Sequence, residues 1–385
     1  MNTIFTFTGA KKIVFGCGSF ASLAATVREL GACRPLVVVD RPLAKTGMAE
    51  KVGALLDQEG VRCTLFDRVE GEPPLELANE GAKAAIKAKA DCVVGIGGGS
   101  AMDTAKAIAV LATNRAKAGD FLGLNKIPAP GLPKIMVPTT AGTGSEVTFT
   151  SVFIRRDLKK KEGMNSPYLY PEVALLDPEL TLTLPPEATA STGLDALCHA
   201  IESYTSIIAS PMSEMVSLEA IGLIAENLRT CVHDGSNLKA REAMLLGSLY
   251  GGLGLANAGV TAVHSLSYPL GGRYGVPHGL ANTILLPHVM AFNLPGALEK
   301  FALVAEAMGE AVEDLPVREA AYLAVEAVEA LIEDCGITKT LEDFGVSQDD
   351  FPEMAKVAMT VARPLANNPR KVTPEDAVEI YNGAF

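Results

Sequence analysis

The run Leu36-Val37-Val38-Val39 carries no polar side chain on either face. A strand of that kind has to be covered on both sides, as in a parallel sheet flanked by helices. The pattern recurs: Cys63–Phe66, Asp91–Ile96 and Lys134–Pro138 read as further short strands. Stretches rich in Ala, Leu, Lys and Glu at 43–59 and 76–90 read as helices, and a helix is expected over Thr104–Thr113. This βαβα order predicts a Rossmann-like α/β domain with parallel strands. At the start of the chain Phe5 and Phe7 alternate with Thr6 and Thr8, and Gly9-Ala10 precede Ile13-Val14-Phe15, a hairpin pattern. The alternating segment 3–8 is also one that a second copy of the chain can pair with.

From Pro186 onward strand signals fade. Helical periodicity covers 187–207, 210–233, 236–258, 298–310, 315–336 and 373–381. Pro185 and Pro186 set up a helix start, so Leu180–Glu187 is the expected hinge. The reading is an α/β domain over 1–185 and an all-helical domain over 186–385. Ligand sites favour the cleft between such domains. The Gly- and Ala-rich stretch 251–259 predicts a small pocket.

Charge narrows the partners. Forty-five acidic against 33 basic residues give a net charge of −12, which speaks against nucleic acid. No apolar stretch reaches the roughly 18 residues of a membrane span, and the first residues lack the plan of a secretory signal. Seven cysteines, odd in number and without a CxxC, argue for reduced thiols in a cytoplasmic protein.

Two loops follow strands. Gly97-Gly98-Gly99-Ser100, with Asp103 behind it, leads into a helix. Glycines there let a ligand approach the backbone, and the helix N-terminus attracts a pyrophosphate. A bare tight turn is the other reading. Pro138-Thr139-Thr140-Ala141-Gly142-Thr143-Gly144-Ser145-Glu146 is dense in hydroxyls suited to phosphate and ribose. Two such loops at the carboxyl ends of parallel strands are where α/β sheets bind nucleotides. Asp40, ending the first apolar run, is either a helix N-cap or a carboxylate for a ribose 2′-hydroxyl.

The chain has five histidines. Asp195 and His199 lie four apart in a helical stretch and share one face, as an ion pair or as two ligands. His264 sits among apolar and small residues, and His278 stands between Pro277 and Gly279, which fix a turn. One carboxylate and three imidazoles make a plausible set for Fe²⁺ or Zn²⁺. Cys198 points away from the Asp195/His199 face and reads as packing. His233 reads as a surface residue at a helix end, and His288 as core in preference to a residue behind the metal ligands.

The segments GGGSAMDTAK at 97–106, PTTAGTGSEVT at 138–148, DPELTLTLPP at 177–186, TGLDALCHAIESY at 192–204, PHGLAN at 277–282 and NNPRKVT at 367–373 resemble, in order and along the whole chain, the iron-containing (group III) alcohol dehydrogenases, the family of lactaldehyde reductase and 1,3-propanediol dehydrogenase. The resemblance implies a dinucleotide-binding α/β domain and a helical metal domain, an architecture related to dehydroquinate synthase. It implies metal ligands Asp195, His199, His264 and His278, and Gly97, Gly98, Gly99, Ser100 and Asp103 at the pyrophosphate. Thr139 and Thr140 fall beside the dinucleotide. Asp40 matches the adenosine-ribose carboxylate, hence NAD, and Lys161 matches a lysine near the nicotinamide ribose; a solvated charge run at 159–161 is its alternative.

The chain departs from the family twice. Tyr268 stands where many members have a histidine four residues after the third ligand. Gly71-Glu72-Pro73-Pro74 replaces Pro-Asn-Pro-Thr. The expected function is NAD(H)-dependent hydride transfer to or from a small primary alcohol or aldehyde, with the metal as Lewis acid. Tyr268 positions substrate, relays a proton or simply packs the cleft wall, and His278 is grouped with it as catalytic. A homodimer or higher oligomer is expected. The other readings are a metal- and NAD-dependent lyase of the dehydroquinate-synthase kind and a non-catalytic dinucleotide-binding protein.

Overall fold

The computed structural model describes residues 4–157 and 160–385. Two compact units emerge. One is Gly9–Thr140 with Gly144–Leu182; the other is Thr183–Phe385 with the N-terminal residues up to Thr8 and Ala141–Thr143.

The first unit holds a six-stranded sheet of order β1-β9-β6-β4-β2-β3, with every pairing parallel. Its strands are β1 Lys12–Phe15, β2 Pro35–Asp40, β3 Thr64–Val69, β4 Cys92–Gly97, β6 Lys134–Pro138 and β9 Val173–Leu176. Alternation along the strands explains why the runs are apolar throughout. Val37, Val39, Val94, Ile96, Ile135 and Val137 enter one core, whereas Leu36, Val38, Val93 and Met136 enter the core on the other face. Each fully buried aliphatic side chain contributes roughly 1.5–3 kcal/mol. Helices α1 Leu23–Glu29, α2 Arg41–Leu43, α3 Ala49–Gln58, α4 Leu75–Ala88 and α5 Gly99–Thr113 intervene. A smaller sheet, β5 Gly123–Leu124, β8 Lys160–Asn165 and β7 Thr150–Arg155, has antiparallel β7 and β8.

Several expectations change. The N-terminal hairpin is absent: β1 pairs in parallel with β9, and residues 4–10 form no strand. The apolar strand β9 needed an edge partner, and Lys12–Phe15 supplies it. Thr3 of the proposed 3–8 strand and Lys159 of the lysine run lie outside the described residues. The helix expected over 43–59 is broken at Gly47, whose φ is 90°. Helix α5 starts at Gly99, five residues earlier than expected, so the glycine segment runs from the end of β4 at Gly97 through the N-cap Gly98 into the first helical turn.

The second unit contains α6 Pro186–Thr205, α7 Pro211–His233, α8 Leu238–Ala258, α9 Ala262–Pro269, α10 His278–Asn293, α11 Leu298–Ala307, α12 Val317–Asp334, α13 Phe351–Met359, α14 Ala362–Asn367 and α15 Pro374–Gly383. Gly251 and Gly254, in the stretch 251–259, make close helix packing. A Cβ on Gly251 would sit 3.2 Å from the Ala196 carbonyl, and one on Gly254 would meet Ser203 and Ser217. No single described helix is long and apolar enough to cross a membrane. All seven cysteines are free thiols.

Under the second glycine loop the α/β unit buries a charged network. The Lys106 ammonium donates to the Ser145 carbonyl at 3.0 Å, to Thr148 Oγ1 at 3.3 Å and to the Thr150 carbonyl, and pairs with Asp103 at 3.0 Å. Glu146 is buried beside it, and its Oε1 has no hydrogen-bond partner among the described residues. Burial pushes its carboxyl up to about 7, against smaller opposing effects of its backbone hydrogen bond and Lys106. The folded state therefore binds a proton that the unfolded state, with an ordinary carboxyl, releases. Stability is full below the unfolded value and falls as pH rises through 7. Glu146→Gln should thus stabilise the protein at pH 8 by roughly 3 kcal/mol and far less at pH 5. Denaturant unfolding at both pH values checks this; a gain independent of pH would contradict it.

Candidate metal centre

Helix α6 displays Asp195, His199 and Glu202 on one face, and all three are buried. His264 comes from α9. His278 is the first residue of α10, preceded by Pro277 at the N-cap. The expected Pro-His-Gly turn is therefore a helix start. Gly279 permits it, because a Cβ there would lie 2.6 Å from the Ser191 carbonyl oxygen and 3.3 Å from Asp195 Cβ. That close approach of α10 to α6 brings His278 to Asp195.

One carboxylate oxygen and one ring nitrogen from each of Asp195, His199, His264 and His278 all lie within 4.8 Å of one another. His199 Nε2 is 3.1 Å from His264 Nε2 and 3.8 Å from Asp195 Oδ1. Three of the residues are buried and His278 is half-buried, which makes His278 the open side of the cluster.

The partners of the far ring nitrogens fix the tautomers. His199 Nδ1 lies 3.4 Å from the Gly142 carbonyl oxygen and donates to it, leaving its Nε2 with a lone pair. His264 Nδ1 donates to Glu202 Oε2, so its Nε2 also carries a lone pair. Burial pushes His199 below the ordinary imidazole range, toward the neutral form. Burial raises the Asp195 carboxyl, but the three imidazoles and a hydrogen bond from Asn282 outweigh it and hold it at about 2.

Asn282 completes the cluster. Its Nδ2 donates to Asp195 Oδ1 at 2.8 Å and lies 3.1 Å from His264 Nε2 and 3.3 Å from His278 Nε2. Its Oδ1 is buried without a hydrogen-bond partner among the described residues. Two lone pairs meeting at 3.1 Å beside an anionic carboxylate and an orphaned amide oxygen fit a cation. Nitrogen and oxygen donors without a thiolate suit Fe²⁺ or Zn²⁺. A second grouping, Cys198, Glu202 and His264, is poorer in chemistry. Burial raises the Cys198 thiol well above its ordinary range, so it stays protonated.

Neighbouring motifs hold α9 in place. Asn368 Oδ1 accepts from the Ala262 amide at 3.3 Å and from Asn293 Nδ2 at 2.9 Å, and Asn367 donates to the Val260 carbonyl at 3.2 Å. His233 is exposed and reaches the Asp334 carbonyl at 2.9 Å. His288 is half-buried against Gly383. Neither joins the cluster. Tyr268 is one turn beyond His264 on α9, and burial is the main cause that raises its phenol.

In the α/β unit the two loops adjoin. The Thr139 amide donates to the Gly97 carbonyl at 3.1 Å, and Thr140 stands 3.5 Å from where a Cβ on Gly98 would be. Gly97 has φ 142°, and a Cβ there would collide with Asp40. Asp40 caps α2 by accepting from the Leu43 amide at 2.9 Å, and it also borders Gly97. Gly98 caps α5 without a side chain, so Gly99 and Ser100 present backbone at the helix start. Asp103 is a different case. Its oxygens accept from Ser145 Oγ at 2.6 Å and the Val152 amide at 2.8 Å, and Lys106 pairs with it. It braces the second loop. Lys161 is half-buried with its side chain largely covered and ion-paired with Glu72, so it belongs to no solvated run. The departure at 71–74 thus places a counter-ion on this lysine.

Residues 10–178 match the iron-containing alcohol dehydrogenase family, and residues 189–385 match the C-terminal part of the Fe-containing alcohol dehydrogenase family. The chain belongs to the iron-containing alcohol dehydrogenases. It is 41% identical over 373 residues to long-chain-alcohol dehydrogenase 1 of Geobacillus thermodenitrificans, covering 96% of this chain and 94% of that one. The crystal structure of a 1,3-propanediol oxidoreductase superposes with a TM-score of 0.96 at 37% identity, covering 99% and 100% of the two chains. Sulfoacetaldehyde reductase from Bifidobacterium kashiwanohense, solved in complex with NAD⁺, superposes at 0.90 with 29% identity, covering 100% and 99%. As an iron-type alcohol dehydrogenase the protein is a metal-dependent NAD(H) oxidoreductase of alcohols and aldehydes. The lyase and non-catalytic readings find no support in these matches.

Sequence reasoning missed Glu202, Asn282 and Gly142. Glu202 lies seven residues after Asp195 on the same helix face, a spacing that could have flagged it. The protein should bind one divalent ion per chain and unfold at a higher temperature with it, by roughly 4 kcal/mol at about 1,000 times Kd. Asp195→Ala and His264→Ala should each abolish that rise. Thermal unfolding with metal analysis checks it; an undiminished rise in either variant would exclude the cluster.

Proposed function

We propose that this dehydrogenase interconverts a small primary alcohol and its aldehyde using NAD(H) in preference to NADP(H), with Asp195, His199, His264 and His278 holding one Fe²⁺ or Zn²⁺. The convergence of those four donors within 4.8 Å carries the reading. A divalent ion bound there supplies a Lewis acid for the substrate oxygen, and NAD supplies the hydride acceptor. The chain's own residues do the rest. The buried carboxylate and imidazoles keep water from three sides of the cluster, and the half-buried His278 leaves one side for a substrate oxygen. The backbone of Gly97–Ser100 suits a pyrophosphate, and Thr139 and Thr140 flank it. Asp40 accepts from a ribose 2′-hydroxyl and repels a 2′-phosphate. Lys161, neutralised by Glu72, sits near the nicotinamide ribose. Tyr268 positions substrate or passes a proton from its hydroxyl.

The seven free thiols suit the reducing cytoplasm. A homodimer or higher oligomer would cover Ile4 and Phe5, which are exposed.

The direct test is NADH oxidation by the Fe- or Zn-loaded enzyme across a panel of aldehydes. NADH should be used at least tenfold better than NADPH, and Asp40→Ala should narrow the gap. No turnover with any aldehyde or primary alcohol would overturn the function; equal use of both cofactors would overturn the role of Asp40. Tyr268→Phe should cut kcat about tenfold or more and alter the pH profile; an unchanged rate and profile would remove the hydroxyl from the reaction.

A further inference from the structure

Glu202 is buried on the far side of His264 from the other ligands, and its two oxygens face different tasks. Oε1 accepts three hydrogen bonds, from the Thr261 amide at 3.0 Å, Thr261 Oγ1 at 2.7 Å and the Val263 amide at 2.8 Å. Two backbone amides and one hydroxyl of the turn that starts α9 supply these bonds. Oε2 accepts from His264 Nδ1 and faces Cys198 Sγ at 3.8 Å. One carboxylate thus fixes both the position of the helix that carries His264 and the identity of the nitrogen that carries its proton.

We infer that Glu202 is a positioning residue for the metal centre, holding His264 as the Nδ1–H tautomer so that Nε2 can ligate the ion and adding a second buried anion to that of Asp195. The inference rests on the reading that the Asp195–His199–His264–His278 cluster binds a divalent ion. With Asp195 and Glu202 ionised, two negative charges face a doubly charged cation in a water-poor interior, where an unbalanced charge is costly. The anionic acceptor also makes the imidazole a stronger donor to the ion.

Geometry gives Glu202 a test that separates this role from scaffolding. A glutamine fills the same space. Its single carbonyl is claimed by the three donors on Thr261 and Val263, so its amide NH₂ faces His264 Nδ1. That NH₂ is a donor, so Nδ1 must accept and the proton moves to Nε2, which then points at the ion site. An alanine at 202 leaves the Thr261 and Val263 amides without their acceptor, and leaves the His264 tautomer unconstrained. A scaffold role predicts that Gln is the milder change in every respect. The tautomer role predicts that Gln preserves the fold better than Ala yet binds the ion worse.

Zinc and cobalt affinities of wild type, E202Q and E202A, measured by chelator competition, together with ¹⁵N spectra of the imidazoles in ion-free protein, decide it. Expected are a loss of affinity in E202Q of roughly 10–100-fold, a smaller loss in E202A, a thermal midpoint for ion-free E202Q close to wild type, and a His264 proton that moves from Nδ1 to Nε2 in E202Q. Wild-type affinity in E202Q, or an unchanged His264 tautomer, overturns the inference while leaving the site intact. Failure of wild-type protein to bind either ion overturns the site reading itself.

Discussion

Everything in the helical unit turns on imidazole lone pairs that converge in a place poor in water. Nitrogen atoms with matching lone pairs repel at 3.1 Å, and the His199 and His264 Nε2 atoms sit at that distance. The arrangement persists because both rings are gripped from behind, by the Gly142 carbonyl and by Glu202. It is a geometry held in readiness for positive charge, and the cost of holding it falls on the surrounding hydrogen bonds.

Those surroundings account for much of the helical sequence. Gly279 lets α10 begin against α6, so that His278 and Asn282 reach Asp195. Asn367 and Asn368 secure the turn before α9, opposite to Glu202, which holds the same turn from α6. The loop after β6 serves twice, giving Thr139 to the glycine segment and the Gly142 carbonyl to His199. In the α/β unit the parallel sheet delivers Asp40, Gly97 and Pro138 to the carboxyl ends of adjacent strands. Nucleotide chemistry in such sheets is found at that edge.

How much of this was legible in the chain depends on the range of the signal. The apolar runs that became β2, β4 and β6 announced themselves, because a strand buried on both faces has little freedom to carry polar residues, and the one in β6, Lys134, is ion-paired with Glu172. Asp195 and His199 were visible as a pair through helical spacing alone. The small sheet of β5, β8 and β7 was missed, since β5 has only two residues and β7 and β8 are half-exposed, with charged residues such as Lys160, Lys161 and Glu162. The N-terminal alternation suggested a hairpin, but the parallel pairing of β1 with β9 joins segments about 160 residues apart, which no local pattern encodes. The bracing contacts of Asp103 are equally non-local: its partners Ser145 and Val152 lie more than 40 residues away. Glu202 is locally one more acid on a helix, and its partner turn at 261–263 is what makes it matter.

The proposed chemistry depends on one divalent ion held by three imidazoles and one aspartate. X-ray absorption at the metal edge of the zinc- or iron-loaded protein reads that shell. A nitrogen/oxygen shell near 2.0–2.1 Å with the outer-shell scattering of three imidazole rings is expected. A sulfur scatterer near 2.3 Å, or fewer than two imidazoles, would contradict it.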